Sequence, residues 1–359
     1  MAAMTPTPPP ALASCVRLHD PGEVVAAVPH LLGFHPQESL VVICLTGERR
    51  SRVGLCLRLD LPPREDETAV LDHVLPPLRG QRASGVLLVV VGGGARGRRG
   101  GPPRRALVTA VERAAAEAGV ACLHSVWVAA TSADERWFCY DEDACSGRVP
   151  DPAGTVTAAA SALAGFVTFA DRAALARLLD PDPPADLHRR SELLGPVEET
   201  ADLERALDAG RAARADLSAV HRALEQVERG TFVVTDEDVA RIAVALSETR
   251  VRDACMSWSS GPRSAAAERL WLVLTRATPP PHRAEPAALL AVTAYLRGDG
   301  ALAGLALEAS RAAAPEHALA RLLGRALAAG LPPDRVRRVV ADGAEEARLA
   351  IESDGEDAW

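Results

Sequence analysis

Apolar positions along the chain follow two regimes. Up to about residue 150, short β-rich runs alternate with helical stretches; beyond it, apolar residues recur every three and four positions. In the first regime, residues 16–18 predict a short strand. Asp20 and Pro21 then open a helix as cap and first-turn residue, with Val24, Val25, Val28, Leu31 and Leu32 as its apolar stripe. Residues 39–46 and 52–61 read as two strands of an antiparallel hairpin across the polar turn 47–51. A weaker helix is predicted over 65–80, cut short by Pro76 and Pro77. Residues 86–91 are apolar throughout, as in a central strand covered on both faces. A helix over 104–119, closed by Gly119, leads to a buried strand at 121–130 and an edge strand at 136–140. This alternation predicts a layered α/β domain with a mixed sheet over residues 16–150.

The second regime predicts an all-α domain over residues 151–341. Its clearest helix is 198–229, where Leu203, Ala206, Gly210, Ala213, Leu217, Val220, Leu224 and Val227 form one seam. Thr235 and Asp238 form a capping pair ahead of Val239, Ile242 and Leu246. Further helices are expected at 249–259, 264–276, 286–297, 300–314, 316–329 and 333–341. From Ala284 on, Leu290, Ala291, Gly298, Asp299, Ala303 and Pro315 hold the register of a tetratricopeptide repeat. Residues 284–340 therefore resemble one such repeat and a partial second, which implies tetratricopeptide-like helical hairpins. With fewer than the three repeats of a stable array they are expected as a helical cap on the α/β domain, the alternative being a groove for a protein or peptide partner. Residues 1–15 read as a disordered tail and 342–359 as an acidic one.

Composition narrows the chemistry. The 359 residues are 48% hydrophobic and 25% charged, ordinary for a globular chain of about two domains. Lys and Asn are absent, so all 40 basic residues are Arg. That excludes the lysine-dependent phosphate loop, the kinase strand lysine, Schiff-base chemistry with pyridoxal phosphate, and N-glycosylation. A net charge of −8 gives no global field favouring nucleic acid or anionic lipid, so neither partner is expected. Apolar runs such as residues 86–91 are too short for a membrane span. Leu12-Ala13-Ser14-Cys15 matches a lipoprotein cleavage box, but the preceding residues are neither basic nor an apolar stretch; a cytoplasmic protein is expected. Seven cysteines, mostly within apolar runs, predict buried reduced thiols.

The most distinctive stretch runs from Val28 to Val42. A helix stops at Gly33, a Pro-containing loop presents His35, Glu38 and Ser39, and a buried strand follows. His35 with a carboxylate suits acid–base work, with Ser39 oriented by either; Asp60, at a strand end before Pro62, is the further candidate. Equally, Glu38 and Ser39 cap the turn and His35 packs on Phe34. Arg250, Arg252 and Asp253 are candidates for an anionic ligand or an ion pair linking the domains. The G-x-G-x-x-G of residues 92–97 follows a strand, but Arg98, Arg99, Pro102 and Pro103 delay the helix, so no cofactor is expected. Arg96, Arg98, Arg99, Arg104 and Arg105 make the local basic patch, read as a solvated insertion. Cys139 and Cys145 are spaced too widely for a common zinc pair, with Cys122 and His124 as the only helpers; no metal is expected.

The Leu-Leu-Gly-Phe-His-Pro stretch at 31–36, the Arg-Leu-Asp-Leu-Pro ending at 62, Thr249 to Ala254, and 279–284 leading into 295–301 together resemble one family. It is a domain-of-unknown-function family widespread in high-GC Gram-positive bacteria, and the resemblance spans about residues 18–340. It implies a cytoplasmic protein of the same co-linear architecture and no particular reaction. The chain keeps Trp137, Cys139 and Cys145 of the family's Cys-rich segment but lacks its Cys-Cys-Pro run. The resulting expectation is a non-catalytic interaction or regulatory protein using its helical half. The alternative is an enzyme or small-ligand binder with a site at the His35–Ser39 loop between the domains.

Overall fold

The computed structural model describes residues 3–5, 20–47, 52–95, 101–141 and 145–354. The expected strand at 16–18, most of the 1–15 tail, most of the 47–51 turn, and Arg96, Arg98 and Arg99 lie outside the described residues. The chain divides into two compact units. One comprises Met1–Leu175 with Gly298–Ala301 and Ala326–Pro332; the other comprises the rest.

The first unit is a mixed sheet with helices. Its strands are β1 (Ala3–Thr5), β2 (Ser39–Thr46), β3 (Arg52–Asp60), β4 (Gly85–Val91), β5 (Ala121–Val128), β6 (Arg136–Cys139) and β7 (Ser146–Arg148), in the spatial order β1-β3-β2-β4-β5-β6-β7. Of these strands only β4 and β5 run parallel to each other. Parallel neighbours need a crossover, which α3 (Arg105–Glu117) supplies; the other pairs are antiparallel. The apolar run of β4 is buried at Val86, Leu88, Val89, Val90 and Val91, as its lack of alternation requires. Helix α1 (Pro21–Leu32) opens on Asp20, whose carboxylate accepts from Glu23 N at 3.0 Å, and closes on Gly33 at φ +77°.

Several expectations are corrected here. Residues 3–5, expected in a disordered tail, run as β1 on the outer edge of β3, whose unpaired backbone offers that row of bonds. Pro76 and Pro77 do not stop the second helix: after a 3₁₀ turn at Arg64–Val70, α2 (Leu71–Gly80) runs through both prolines. Burial of Val74, Pro77 and Leu78 outweighs the two missing backbone bonds. The strand at 136–139 is not an edge, because β7 pairs beyond it. The unit also extends past residue 150, through α4 (Val156–Leu163) to Leu175. The mixed-sheet α/β class itself is as expected.

The second unit is all helix: α6 (Pro184–Leu207), α7 (Ala209–Arg229), α8 (Asp236–Ser247), α9 (Thr249–Cys255), α10 (Ser264–Ala277), α11 (Ala284–Arg297), most of α12 (Gly300–Ala313) and of α13 (Ala318–Ala328), and α14 (Pro333–Ser353), preceded by the short α5 (Arg172–Ala176) that straddles the boundary. The predicted 198–229 helix is two. Asp208 turns extended (φ −157°, ψ 93°) and its carboxylate accepts from Arg211 N, so it ends α6 and caps α7. The seam holds in α7, where Gly210, Ala213, Val220 and Leu224 are buried, while Leu203 is exposed. Thr235 caps α8 through Asp238 N at 3.1 Å. Helix α11 is buried almost end to end, packed with α8, α10 and α14. The expected acidic tail from 342 is instead mostly the last turns of α14, which bury Ala344, Ala347 and Ile351. Arg190 organises one end of the unit, donating to Asp182, Asp236 and Ala277 O at 2.8–2.9 Å. Among the described residues no helix is long and apolar enough to cross a membrane.

Candidate functional site

Register brings four strand ends into one row. Because β4 and β5 are parallel, both finish on the same edge, with Val91 facing Val128. Antiparallel β2 starts there, Ser39 facing Val91, and β3 finishes there, Asp60 facing Ser39. This edge, beyond the carboxyl ends of parallel strands, is where open α/β sheets place their ligands.

The Gly33–Ser39 loop is laid across that row. Phe34 and Phe169 form a parallel bridge, with His35 N donating to Phe169 O at 3.1 Å and Phe169 N to Gly33 O at 2.8 Å. His35 Nδ1 pairs with Thr131 Oγ1 at 2.9 Å, just past β5. Burial, and secondarily nearby His30, push the His35 imidazole below its ordinary value, so it is neutral at pH 7. Glu38 sits at φ +43°, a conformation that a non-glycine residue keeps only when its surroundings over-determine it. They do: Leu61 N donates to its carbonyl at 2.9 Å, and Gly93 N donates to its carboxylate at 3.0 Å. Ser39 Oγ donates to Gln37 O at 2.6 Å and accepts from Arg58 Nε at 2.7 Å. Arg58 also reaches Gln37 O at 3.3 Å and Asp60 at 2.5 Å. The Arg58 side chain is 8% exposed and that of Asp60 67%.

The expected site residues therefore share one edge but not one constellation. Ser39 and Asp60 meet through Arg58, while His35 and Glu38 bond to Thr131 and Gly93. Arg58 was not among the sequence candidates, although a lone Arg inside Leu55-Cys56-Leu57-Arg58-Leu59 is a visible signal of a buried polar contact. The glycines after β4 serve the same junction. Gly92 N donates to Val128 O at 2.9 Å, and Trp127 Nε1 to Gly92 O at 2.7 Å. A side chain at Gly92 would collide with the Glu38 carboxylate. Of the basic patch, Arg104 is spent on Pro62 O and Glu67, and Arg105 on Tyr140 O.

Arg250, Arg252 and Asp253 lie in the helical unit, and so do their partners. Arg250 pairs with Glu248 and Asp354. Arg252 pairs with Asp253 at 2.7 Å and Glu285 at 3.5 Å, and Glu285 meets His317 at 3.0 Å. A cavity of about 110 Å³ between α7 and α8, lined by Arg222, Gln226, Asp238 and Arg241 among others, is too small for a cofactor.

Among the described residues, one group of potential metal ligands forms, at the β5–β7 end of the sheet. Cys139 and Cys145 are joined as a disulfide, which corrects the expectation of reduced thiols for this pair. His124 Nε2 lies 3.1 Å from Cys139 Sγ and 4.0 Å from Cys145 Sγ. Cys44, Cys56 and Cys255 are buried and outside any disulfide, as expected; burial pushes the Cys44 thiol up to about 12. Cys122 is half-buried beside Ser125, which donates to Glu112 at 2.5 Å.

The fold thus defines a protein with a mixed-sheet α/β unit and an all-helical unit. Its sequence belongs to the family described as "Domain of unknown function (DUF4192)", whose family model matches residues 21–334. No curated protein and no solved structure matches the chain.

Proposed function

We propose that this chain is a non-catalytic interaction or regulatory protein of the cytoplasm that receives a protein partner. The observation that carries the reading is α4. None of its residues is buried, and Val156 and Leu163, with Val167 just beyond, are 65–76% exposed. Its half-buried residues, Thr157, Ala158, Ala160 and Ser161, take the inner side, so the solvent side of this helix is apolar. Exposed apolar patches on a folded surface mark association sites. The tetratricopeptide-like register over 284–340 suits internal packing better than peptide capture, since residues 284–307 are buried almost without break. The composition without Lys or Asn agrees with a high-GC Gram-positive origin.

The alternative, an enzyme or small-ligand binder at the His35–Ser39 loop, is favoured by one feature. The neutral His35 ring uses Nδ1 on Thr131, and no hydrogen bond to Nε2 forms among the described residues. Against it, Glu38, Ser39 and Asp60 are engaged in fastening the loop.

Proximity labelling in the host, comparing the wild type with Leu163→Asp/Val167→Asp, tests the first reading. Both positions are exposed, so stability is expected to change by no more than about 0.5 kcal/mol each. A defined partner set is expected to disappear from the variant. An unchanged partner set, with a His35→Ala variant losing a thermal shift to a metabolite, would establish the alternative instead.

A further inference from the structure

The edge of the sheet opposite β1 gathers a histidine on β5, a cysteine on β6 and a cysteine immediately before β7. The β5–β6 register sets Val126 against Cys139, and Cys139 N donates to Cys145 O at 3.0 Å, making Cys139 and Cys145 a facing pair at the mouth of the β6–β7 hairpin. His124, two residues before Val126 on β5, turns its ring toward them. The Nε2 and two Sγ atoms all lie within 4.8 Å of one another. Strand pairing fixes the backbones of His124, against Leu87, and Cys139, against Val126, and Cys145 is tied to Cys139 by its carbonyl immediately before β7.

We infer that, once reduced, Cys139, Cys145 and His124 form a Cys₂His site for a thiophilic divalent cation of the zinc type, with a fourth position open to water. Zinc bonds of about 2.3 Å to sulfur and 2.0 Å to nitrogen set neighbouring ligand atoms about 3.5–3.8 Å apart. The two His124-to-sulfur distances, 3.1 and 4.0 Å, bracket that separation. Two thiolates neutralise the ion. The remaining described cysteines do not compete: Cys44, Cys56 and Cys255 are buried in the cores, and Cys122 is held on Ser125.

The disulfide form and the metal form exclude each other, which makes the site a redox gate. A dithiol reductant passes two electrons and two protons to the Cys139–Cys145 bond, leaving two thiols and the oxidised, cyclic form of the reductant. The cation then displaces the two thiol protons to water. Re-oxidation by a small-molecule disulfide takes the two electrons back, forms two small thiols with two protons from solvent, and releases the ion. In a reducing compartment the dithiol form is the populated one. This inference is independent of the partner-binding reading.

The test uses the full chain with zinc chloride as the probe, desalting, and metal content by mass spectrometry. Reduced wild type is expected to keep about one zinc per chain, and the oxidised protein essentially none. Cys122→Ser is expected to behave as wild type. His124→Gln is expected to lose at least about tenfold in affinity and Cys139→Ser/Cys145→Ser to abolish retention. Cobalt in place of zinc reads the ligands directly, through a thiolate-to-cobalt charge-transfer band present in reduced wild type and absent from the double Ser variant. Should that double variant fail to fold, His124→Gln and the wild-type cobalt spectrum still decide. No zinc retained by reduced wild type, no thiolate band, or His124→Gln holding zinc as tightly as wild type would each overturn the site.

Discussion

Arg58 occupies the middle of a strand whose other residues from Leu55 to Leu59 are apolar, and it is buried. A guanidinium there is tolerated because its donors are taken up by Ser39 Oγ, Gln37 O and Asp60. These three partners do not contribute equally. The Asp60 carboxylate is largely in water, where an ion pair is worth little, whereas the bonds to Ser39 and Gln37 are shielded. Arg58→Met is therefore expected to lower the unfolding free energy by about 1–3 kcal/mol, the cost of leaving buried polar groups short of a partner. Asp60→Asn is expected to cost no more than about 0.5 kcal/mol. Urea denaturation of both variants checks this, and equal effects would mean that Arg58 is held by charge and not by the loop. A catalytic Asp60 would show the opposite order in any assay of activity. Residue types alone made His35, Glu38, Ser39 and Asp60 visible as a group, because they cluster in sequence or end a strand. Their pairing was not visible, because Arg58, Thr131 and Gly93 come from other elements.

The junction after β4 shows how an element end is fastened. Gly92 and Gly94 both have positive φ, +78° and +111°, but only Gly92 has a crowded Cβ position, against Glu38; at Gly94 nothing lies within 4 Å. Either glycine changed to alanine loses its unstrained backbone, about 1 kcal/mol or more. Gly92→Ala must in addition displace the Glu38 carboxylate from Gly93 N, so it is expected to be the more destabilising by about 1 kcal/mol. In a Glu38→Ala background the gap between the two should close, as thermal melts of the four proteins would register. Element existence was legible wherever the local pattern ran with the backbone chemistry, as in β2, β3, β4, α1 and α8, whose apolar runs and caps sit in the sequence. It failed where a tertiary contact overrode a local signal. The seam over 198–229 hid the cap at Asp208, since an Asp in a charged stretch is indistinguishable from a solvated one until its carboxylate meets Arg211 N. Pro76 and Pro77 read as a stop because their burial is a property of the assembled unit. His124, Cys139 and Cys145 were named together from the sequence but set aside on spacing for a related reason: their convergence depends on cross-strand register, which spacing along the chain does not encode.

Chain order and compact units do not coincide in this molecule, and that has a thermodynamic consequence. The α/β unit recruits Ala326–Pro332 from the far end of the chain. Gln81 Nε2 donates to Gly330 O at 2.6 Å, and the Cα of Gly330 lies so close to Pro77 that an added Cβ would come within 2.8 Å of the proline ring. Gly330, at φ +63°, is the residue that lets the chain turn and approach. The end of α2, already short of two backbone bonds at its prolines, is thus completed by a segment about 250 positions later in sequence. A boundary drawn at residue 150 or at Leu175 would sever this contact, which no local pattern announces. A fragment of residues 1–175 is expected to fold as the sheet, because the β2–β7 register and the Val86–Val91 core are internal to it. Its amides around residues 77–83 should exchange with solvent markedly faster than in the full chain, since the covering segment is gone. Gly330→Val in the full chain should reproduce that local loosening while leaving β4 and β5 protected, because the damage is confined to the α2 end. Hydrogen-exchange mass spectrometry on the three proteins distinguishes the cases. Unchanged protection at 77–83 in the fragment would mean that α2 is stable without its distant cover, and that the discontinuous unit is a matter of proximity alone.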